Sequence, residues 1–252
     1  MVERAGLIFA HFGANPAPGL LMFDVLNVPQ DITIQEETIP CNWLQIAENG
    51  VDPVHLEWLH GHFVNARAND RGDGEVLSVR AHSRIEFERT DLGLVKRRLL
   101  DGQATEGEDW TIGQQLIFPS ILYHADSQFQ GLQFRVPIDD ESTYHVWWKG
   151  YSATETVPKT KTLPSEVRLP NGQYNLDSIN GQDVAIWVSQ GRILDRSTEH
   201  LGRSDRGISL YRQLLLEELG KVESGGSPLG ATLRTPVELP KRRESESILS
   251  RN

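Results

Sequence analysis

The chain has 252 residues, enough for one large core or two small ones, and its 38% hydrophobic and 24% charged content is that of a soluble globular protein. A formal net charge of −10 offers no basic stripe for phosphates or for an anionic bilayer, which excludes nucleic acid and membrane as expected partners. Cys41 is the one cysteine, so neither an internal disulfide framework nor a thiolate cluster can form, and no apolar run approaches the ~18 residues of a membrane span.

The N-terminal segment has an apolar core too short for a secretory signal and no cleavage site, so the expected compartment is the cytoplasm. A short strand is expected from Leu7 to Phe12, followed by loop punctuated by Pro16, Pro18 and Pro29. With no strand nearby to pair with, it reads as the end of something larger. Residues 42–62 read as helical in two pieces, with Asp52-Pro53 as a fresh start, since Asp caps a helix well and Pro is welcome in its first turn.

From residue 76 to 152 the pattern turns to period two. Ile85 and Phe87 alternate with Arg84, Glu86 and Glu88; Leu132, Phe134 and Val136 alternate with Gln133 and Arg135. Asp91-Leu92-Gly93 marks a hairpin turn between the first two strands. The basic runs Lys96-Arg97-Arg98 and Lys241-Arg242-Arg243 read as a solvated strand and a tail. Helical signals return after residue 174: one helix includes Gln182 to Val188, and a second starts near Ser204-Asp205. Ile208, Tyr211, Leu215 and Leu219 form a stripe on the second, with Gly220 just beyond. From Glu223 onward Ser, Gly, Pro and charge predict an extended or disordered arm. The fold class predicted is α+β, an antiparallel β-sheet with helices packed on one face.

Residues 42–63 concentrate the chemistry, with three histidines and three carboxylates. A zinc helix of the H-E-x-x-H type spaces its histidines by four, whereas His55 and His60 are five apart and Glu57 is displaced. Five residues of regular helix turn about 500°, which leaves the two side chains roughly 140° apart. A wider turn would realign them, and such bulges favour functional sites. Asp52, three residues before His55, is placed both to cap the helix and to hold an imidazole nitrogen.

Asn42-Trp43, Glu48-Asn49, Asp52, His55, His60 and Phe63 resemble the iron-site signature N-W-x-x-x-x-E-N-x-x-D-x-x-H-x-x-x-x-H-x-x-F of Rieske-type non-haem iron oxygenases that hydroxylate aromatic rings. A second block resembles the C-terminal half of the phthalate-dioxygenase-like branch: Gly181-Gln182-Asp183, Ser189-Gln190-Gly191, Asp195-Arg196, Glu199, Leu201-Gly202, Ser204-Asp205 and Gly207-Ile208. The resemblance implies a helix-grip-like catalytic domain of the alpha subunit in which His55, His60 and Asp183 bind one ferrous iron. Two imidazoles and a carboxylate on one face suit that metal and leave positions free for oxygen. Spacing alone does not choose among Asp177, Asp183, Asp195 and Asp205; the family block selects Asp183. Motif position prefers His60 to His62, which is expected to face solvent. The resemblance makes Asp52 the bridge to a Rieske cluster on a neighbouring subunit, with Asn49 and Gln182 supporting the metal ligands.

A Rieske [2Fe–2S] centre needs two cysteines and two histidines, and this chain has one cysteine with no histidine at either required spacing. The cluster is therefore expected from an absent domain or another chain. Residues 6–13, from Gly6 to Gly13, resemble the segment that follows the family's Rieske domain. The division expected is a junction at 1–30, a mononuclear iron oxygenase domain at 31–222 and a C-terminal arm at 223–252. Implied partners are O2, an aromatic small-molecule substrate, and a ferredoxin or flavin reductase as electron source. A homotrimer is the implied assembly, although losing the Rieske domain removes much of its contact surface. Expected chemistry is hydroxylation or O-demethylation of an aromatic compound. Phe118, Leu122 and Trp187 are placed to line the pocket, and Arg98 or Arg135 to meet a substrate carboxylate, although both arginines read as exposed strand residues. Two other readings stand beside this one: a non-catalytic aromatic-ligand-binding remnant, and a zinc hydrolase with Glu57 as its base.

Overall fold

The period-two stretches build one large sheet. The computed structural model describes residues 1–12, 23–28, 30–152, 159–231, 237–242 and 249–251, so Gly13, Pro16, Pro18, Pro29 and Arg243 lie outside the described residues. In chain order the strands are β1 (Val2–Arg4), β2 (Leu7–Phe9), β3 (Gln30–Ile39), β4 (Leu77–Val79), β5 (His82–Thr90) and β6 (Gly93–Leu100). They continue with β7 (Gln114–Ile117), β8 (Ile121–Ala125), β9 (Phe129–Pro137), β10 (Thr143–Ser152), β11 (Thr160–Thr162) and β12 (Leu249–Arg251). Eight of them form the sheet β11-β3-β10-β9-β8-β7-β6-β5, antiparallel except where β11 lies parallel to β3. From β5 to β10 it is a meander, and β3 returns to pair with the last strand. The predicted hairpin at Asp91-Leu92 joins β5 to β6. Gly93 there has φ +138°, and a Cβ would stand 2.4 Å from the Leu116 carbonyl, so only glycine fits.

The helices are α1 (Trp43–Asn49), α2 (Val54–Glu57), α3 (Phe63–Arg71), α4 (Glu108–Thr111), α5 (Ile179–Ser189) and α6 (Arg206–Glu223). Against one sheet face, Trp147 packs with Ile46 of α1 and Val184 and Trp187 of α5, while Leu94 and Leu116 pack with Ala47 and with Tyr211 and Leu214 of α6. The α+β reading therefore holds, with the sheet covered on its second face as well. There Leu132, Phe134, Val146 and Trp148 meet Phe23, Val25, Leu26 and Leu239, together with Ala5, Leu7 and Phe9. Segments read from sequence as a junction (1–30) and as an arm (223–252) supply this cover.

Two local expectations change. The opening strand has a partner: β1 pairs with β2 across an Ala5-Gly6 turn in which both residues have positive φ, and the Trp148 indole N–H donates to Ala5 O at 3.0 Å. Val2-Glu3-Arg4 is too polar to announce itself as a strand. On α6, Leu214 rather than Leu219 is buried beside Tyr211, and the helix runs past Gly220 to Glu223. Among the described residues no helix is long and apolar enough to cross a membrane.

Candidate metal centre and its cavity

Helix α1 begins where the Asn42 carboxamide accepts the Leu44 amide at 2.9 Å, and after it ends the Asp52 carboxylate accepts the Val54 amide at 2.8 Å and starts α2. Helix α2 then runs into a π turn, Trp58–His62, closed by the Phe63 amide reaching back to Trp58 O, and continues as α3. The wider turn is what the five-residue histidine spacing calls for: the His55 and His60 rings come together edge to face with centroids 5.3 Å apart. His60 is buried at 2% exposure, whereas His62 is exposed with its ring 4.8 Å from Trp58.

Asp183 is the fifth residue of α5, just past its first turn. Ser178 caps that helix by accepting the Gly181 amide at 3.0 Å, and a Cβ on Gly181 would stand 2.0 Å from Asn175 O, so glycine sets how tightly the turn begins. The next residue, Gln182, donates its amide nitrogen to Leu176 O at 2.9 Å, which turns its carbonyl oxygen to His60 Nδ1 at 2.7 Å. His60 Nδ1–H donates there, so Nε2 is the atom left facing Asp183.

His60 Nε2 is 3.1 Å and His55 Nε2 4.0 Å from Asp183 Oδ1, and one donor atom from each residue lies within 4.8 Å of the others. The 3.1 Å contact is not aligned as a hydrogen bond, so the buried Asp183 Oδ1 has no donor; His55 Nδ1, 3.6 Å from Asp52 Oδ2, also has no hydrogen-bond partner. A buried carboxylate oxygen set between two imidazoles and satisfied by neither is the charge pattern a cation would complete. Burial pulls the metal-free His60 imidazolium down, and the Asp183 carboxylate with Gln182 more than offsets this, so it titrates above its ordinary value. Burial likewise raises Asp52, and the nearby His55 imidazole together with the Val54 amide outweighs it, leaving the carboxyl below its usual range.

The rival carboxylates are engaged elsewhere. Asp177 pairs with Arg67 and Arg71, Asp195 accepts the Ser197 amide, and Asp205 accepts the Gly202 amide. Glu57 accepts the His82 amide at 3.1 Å and lies 3.0 Å from His82 Nδ1. Cys41 is buried and its thiol is pushed up to about 12, so it offers no thiolate.

A cavity of about 180 Å³ opens beside the three residues. Asn49, Leu56 and Ile179 line its helical side, and Lys96, Gln114, Leu122, His124 and Gln133 its sheet side. Of the expected lining residues only Leu122 is there: Phe118 packs beside the Leu94–Tyr211 core and Trp187 lies in the Trp147 core. The arginine readings change too. Arg98 lies 3.3 Å from the Asp109 carboxylate, and Arg135 is 1% exposed rather than on the surface. Arg135 donates to Gln133 Oε1 at 3.1 Å while its Nε and Nη1 have no partner, and burial brings its guanidinium down to about 10. Lys96, read as part of a solvated strand, is 3% exposed. Strand parity was correctly read, but the polar face was assumed to be the outer one; it faces the helices, and Val136 is the residue turned to solvent.

Glu48, one residue before Asn49, is the hub of a charge network the sequence did not announce. Arg212 Nε reaches its Oε1 at 2.7 Å, Arg196 Nη1 its Oε2 at 3.0 Å, and Glu199 holds the other edge of Arg212 at 2.5 Å. The network ties α1 to α6 behind the site. Glu48, Arg196 and Glu199 were visible as motif residues, whereas Arg212 lies outside both motif blocks.

Comparison with known proteins fits this arrangement. Residues 24–200 match the family model described as the 3-ketosteroid 9alpha-hydroxylase C-terminal domain, and residues 168–241 match one described as LigXa C-terminal domain like. The oxygenase subunit of 5,5'-dehydrodivanillate O-demethylase from Sphingobium sp. (strain NBRC 103272 / SYK-6) is 32% identical over 244 residues, covering 92% of this chain and 54% of that protein. The phthalate 4,5-dioxygenase oxygenase subunit of Pseudomonas putida is 28% identical, covering 79% of this chain and 53% of that protein. The tert-butanol monooxygenase / tert-amyl alcohol desaturase oxygenase subunit of Aquincola tertiaricarbonis is 28% identical, covering 84% and 50%. The chain spans about half the length of these curated relatives.

Proposed function

The chain belongs to the Rieske-type oxygenases as a catalytic domain, and from that premise we propose that His55, His60 and Asp183 hold a ferrous ion beside an aromatic substrate that is hydroxylated or O-demethylated. The observation that carries the reading is the buried Asp183 Oδ1, which has no donor yet lies within 4.0 Å of both imidazoles. When bound, ferrous iron supplies the activation of O2, at positions that three protein ligands leave free.

The chain's own residues prepare the site. Gln182 keeps the His60 proton on Nδ1 and so presents Nε2. Asp52 starts the helix that carries His55 and stands 3.6 Å from its Nδ1, the place we assign to the bridge toward a Rieske centre held elsewhere. Leu56, Leu122 and Ile179 give the cavity apolar surface for a ring. The [2Fe–2S] cluster, a ferredoxin or flavin reductase and a homotrimeric assembly are further parts of the proposal. The compounds for which two of the relatives above are named, 5,5'-dehydrodivanillate and phthalate, support an aromatic class. A zinc hydrolase finds no support: its base, Glu57, is committed to His82 and does not line the cavity.

Anaerobic loading with ferrous salt is the test, and about one iron per chain is the expected result. A parent that holds no iron after desalting would leave only a ligand-binding remnant. Gln182→Ala is expected to weaken iron about 10- to 100-fold, because the His60 ring loses the acceptor that fixes its tautomer. Competition with a calibrated chelator measures it; unchanged affinity would show that Gln182 only packs.

A further inference from the structure

The proposed site leaves a buried cation in the cavity wall unexplained. Lys96 Nζ makes no ion pair or hydrogen bond among the described residues, although its side chain belongs to a residue 3% exposed that lines the cavity. Two residues on, Arg98 shows how this strand answers a charge when it means to store one: Asp109 lies 3.3 Å from its guanidinium. Asp52 and Asp109 act on Lys96 only at long range, and neither comes within 4 Å of it. An ammonium held from water without a counter-ion opposes folding, so its place in a cavity wall calls for an anion brought from outside.

The neighbouring groups point the same way. Gln133 Oε1 already accepts from the buried Arg135, which leaves the amide N–H group as the free end of this cavity-lining side chain. Ring contact with Phe129 holds His124 on the same wall, and burial brings it down to about 4, so it adds no charge. Asp183, the one carboxylate lining the cavity, is the residue facing the imidazoles. A wall with an ammonium and an amide donor, opposite Leu56 and Ile179, suits a ring that carries an anionic oxygen pair.

We propose that Lys96, assisted by Gln133, binds the carboxylate of an arylcarboxylate substrate and so orients its ring between the sheet and the metal ligands. This rests on the oxygenase reading of the cavity and adds the substrate class and the residue that selects it. Burial, reinforced by Arg98, lowers Lys96 to about 7, so the unliganded cavity carries the charge at reduced cost and an incoming carboxylate restores it.

The experiment is calorimetric titration of the full chain with 3-methoxybenzoate and its neutral counterpart 3-methoxybenzamide, both before and after anaerobic iron loading. The parent is expected to bind the acid at least about tenfold more tightly than the amide. Lys96→Met and Lys96→Gln are expected to lose that preference while changing amide binding by less than about twofold. Lys96→Met is also expected to melt no lower than the parent, since it removes an unpaired buried charge. A parent that binds neither compound, or binds them equally, overturns the proposal, as do variants that keep the preference or weaken both alike. Iron per chain, measured on the same samples, separates the two readings. Acid preference without iron sinks the oxygenase site and spares Lys96; iron without acid preference does the reverse.

Discussion

Asp183→Ala is expected to lower ferrous affinity by more than about a hundredfold while leaving the fold of the metal-free chain intact. Two neutral imidazoles 5.3 Å apart remain in the variant, and they supply neither the third ligand nor the negative charge that offsets a dication. Removing a carboxylate usually costs stability because its donors are left unpaired, but here Asp183 Oδ1 has no aligned donor to lose. Thermal melting of the apo variant should therefore match or exceed that of the parent. Asp177→Ala provides the control, because that carboxylate lies on the surface with Arg67 and Arg71. Equal iron in parent and Asp183→Ala after desalting would rule out the three-residue site.

Glu48→Gln should show the opposite pattern, a large loss of stability. Its side chain is 8% exposed and accepts from Arg196 at 3.0 Å and from Arg212 at 2.7 Å, so neutralising it leaves Glu199 as the one carboxylate shared by two guanidinium groups in a partly buried space. The expected cost is about 3 kcal/mol, at the low end for a broken buried pair because both arginines keep some contact with water. For a chain of this size that corresponds to a fall in melting temperature of about 6–12 °C. Glu217→Gln breaks an Arg89 pair whose two side chains are 38% and 43% exposed, and should leave the melting temperature where it is. If the two variants melt alike, the Glu48 network contributes no more than a surface pair.

Legibility in the sequence followed the physics of each element. The β5 and β9 strands, the Asp91-Leu92 hairpin and the α5 and α6 helices have local signatures that the sequence shows, with small differences at their ends. The metal group needed more. Helical periodicity placed His55 and His60 on different faces, and only a wider turn could join them; motif resemblance chose His60 over His62, and it alone chose Asp183 among four aspartates. Cavity floor residues were missed because period two gives two faces without saying which is inside. Gln133, Arg135 and Lys96 look like a solvent face until the helices that cover them are known. Arg212 escaped for a related reason: a charged residue on an amphipathic helix looks solvated unless its long-range partner, here Glu48, is in view. The N-terminal hairpin was half seen, since its first strand has almost no apolar residue to mark it.

The π turn at Trp58–His62 has a consequence for how this stretch can vary. A regular helix rotates about 100° per residue, so deleting one residue between His55 and His60 would restore ordinary winding and place the histidines four apart, the spacing of a zinc-protease helix. Inserting one would swing the second imidazole off the shared face by a similar angle. Trp58, Leu59 and their neighbours can change identity without moving the rings far, but the number of residues between the histidines is fixed. Insertions and deletions, more than substitutions, mark the boundary between this metal geometry and another.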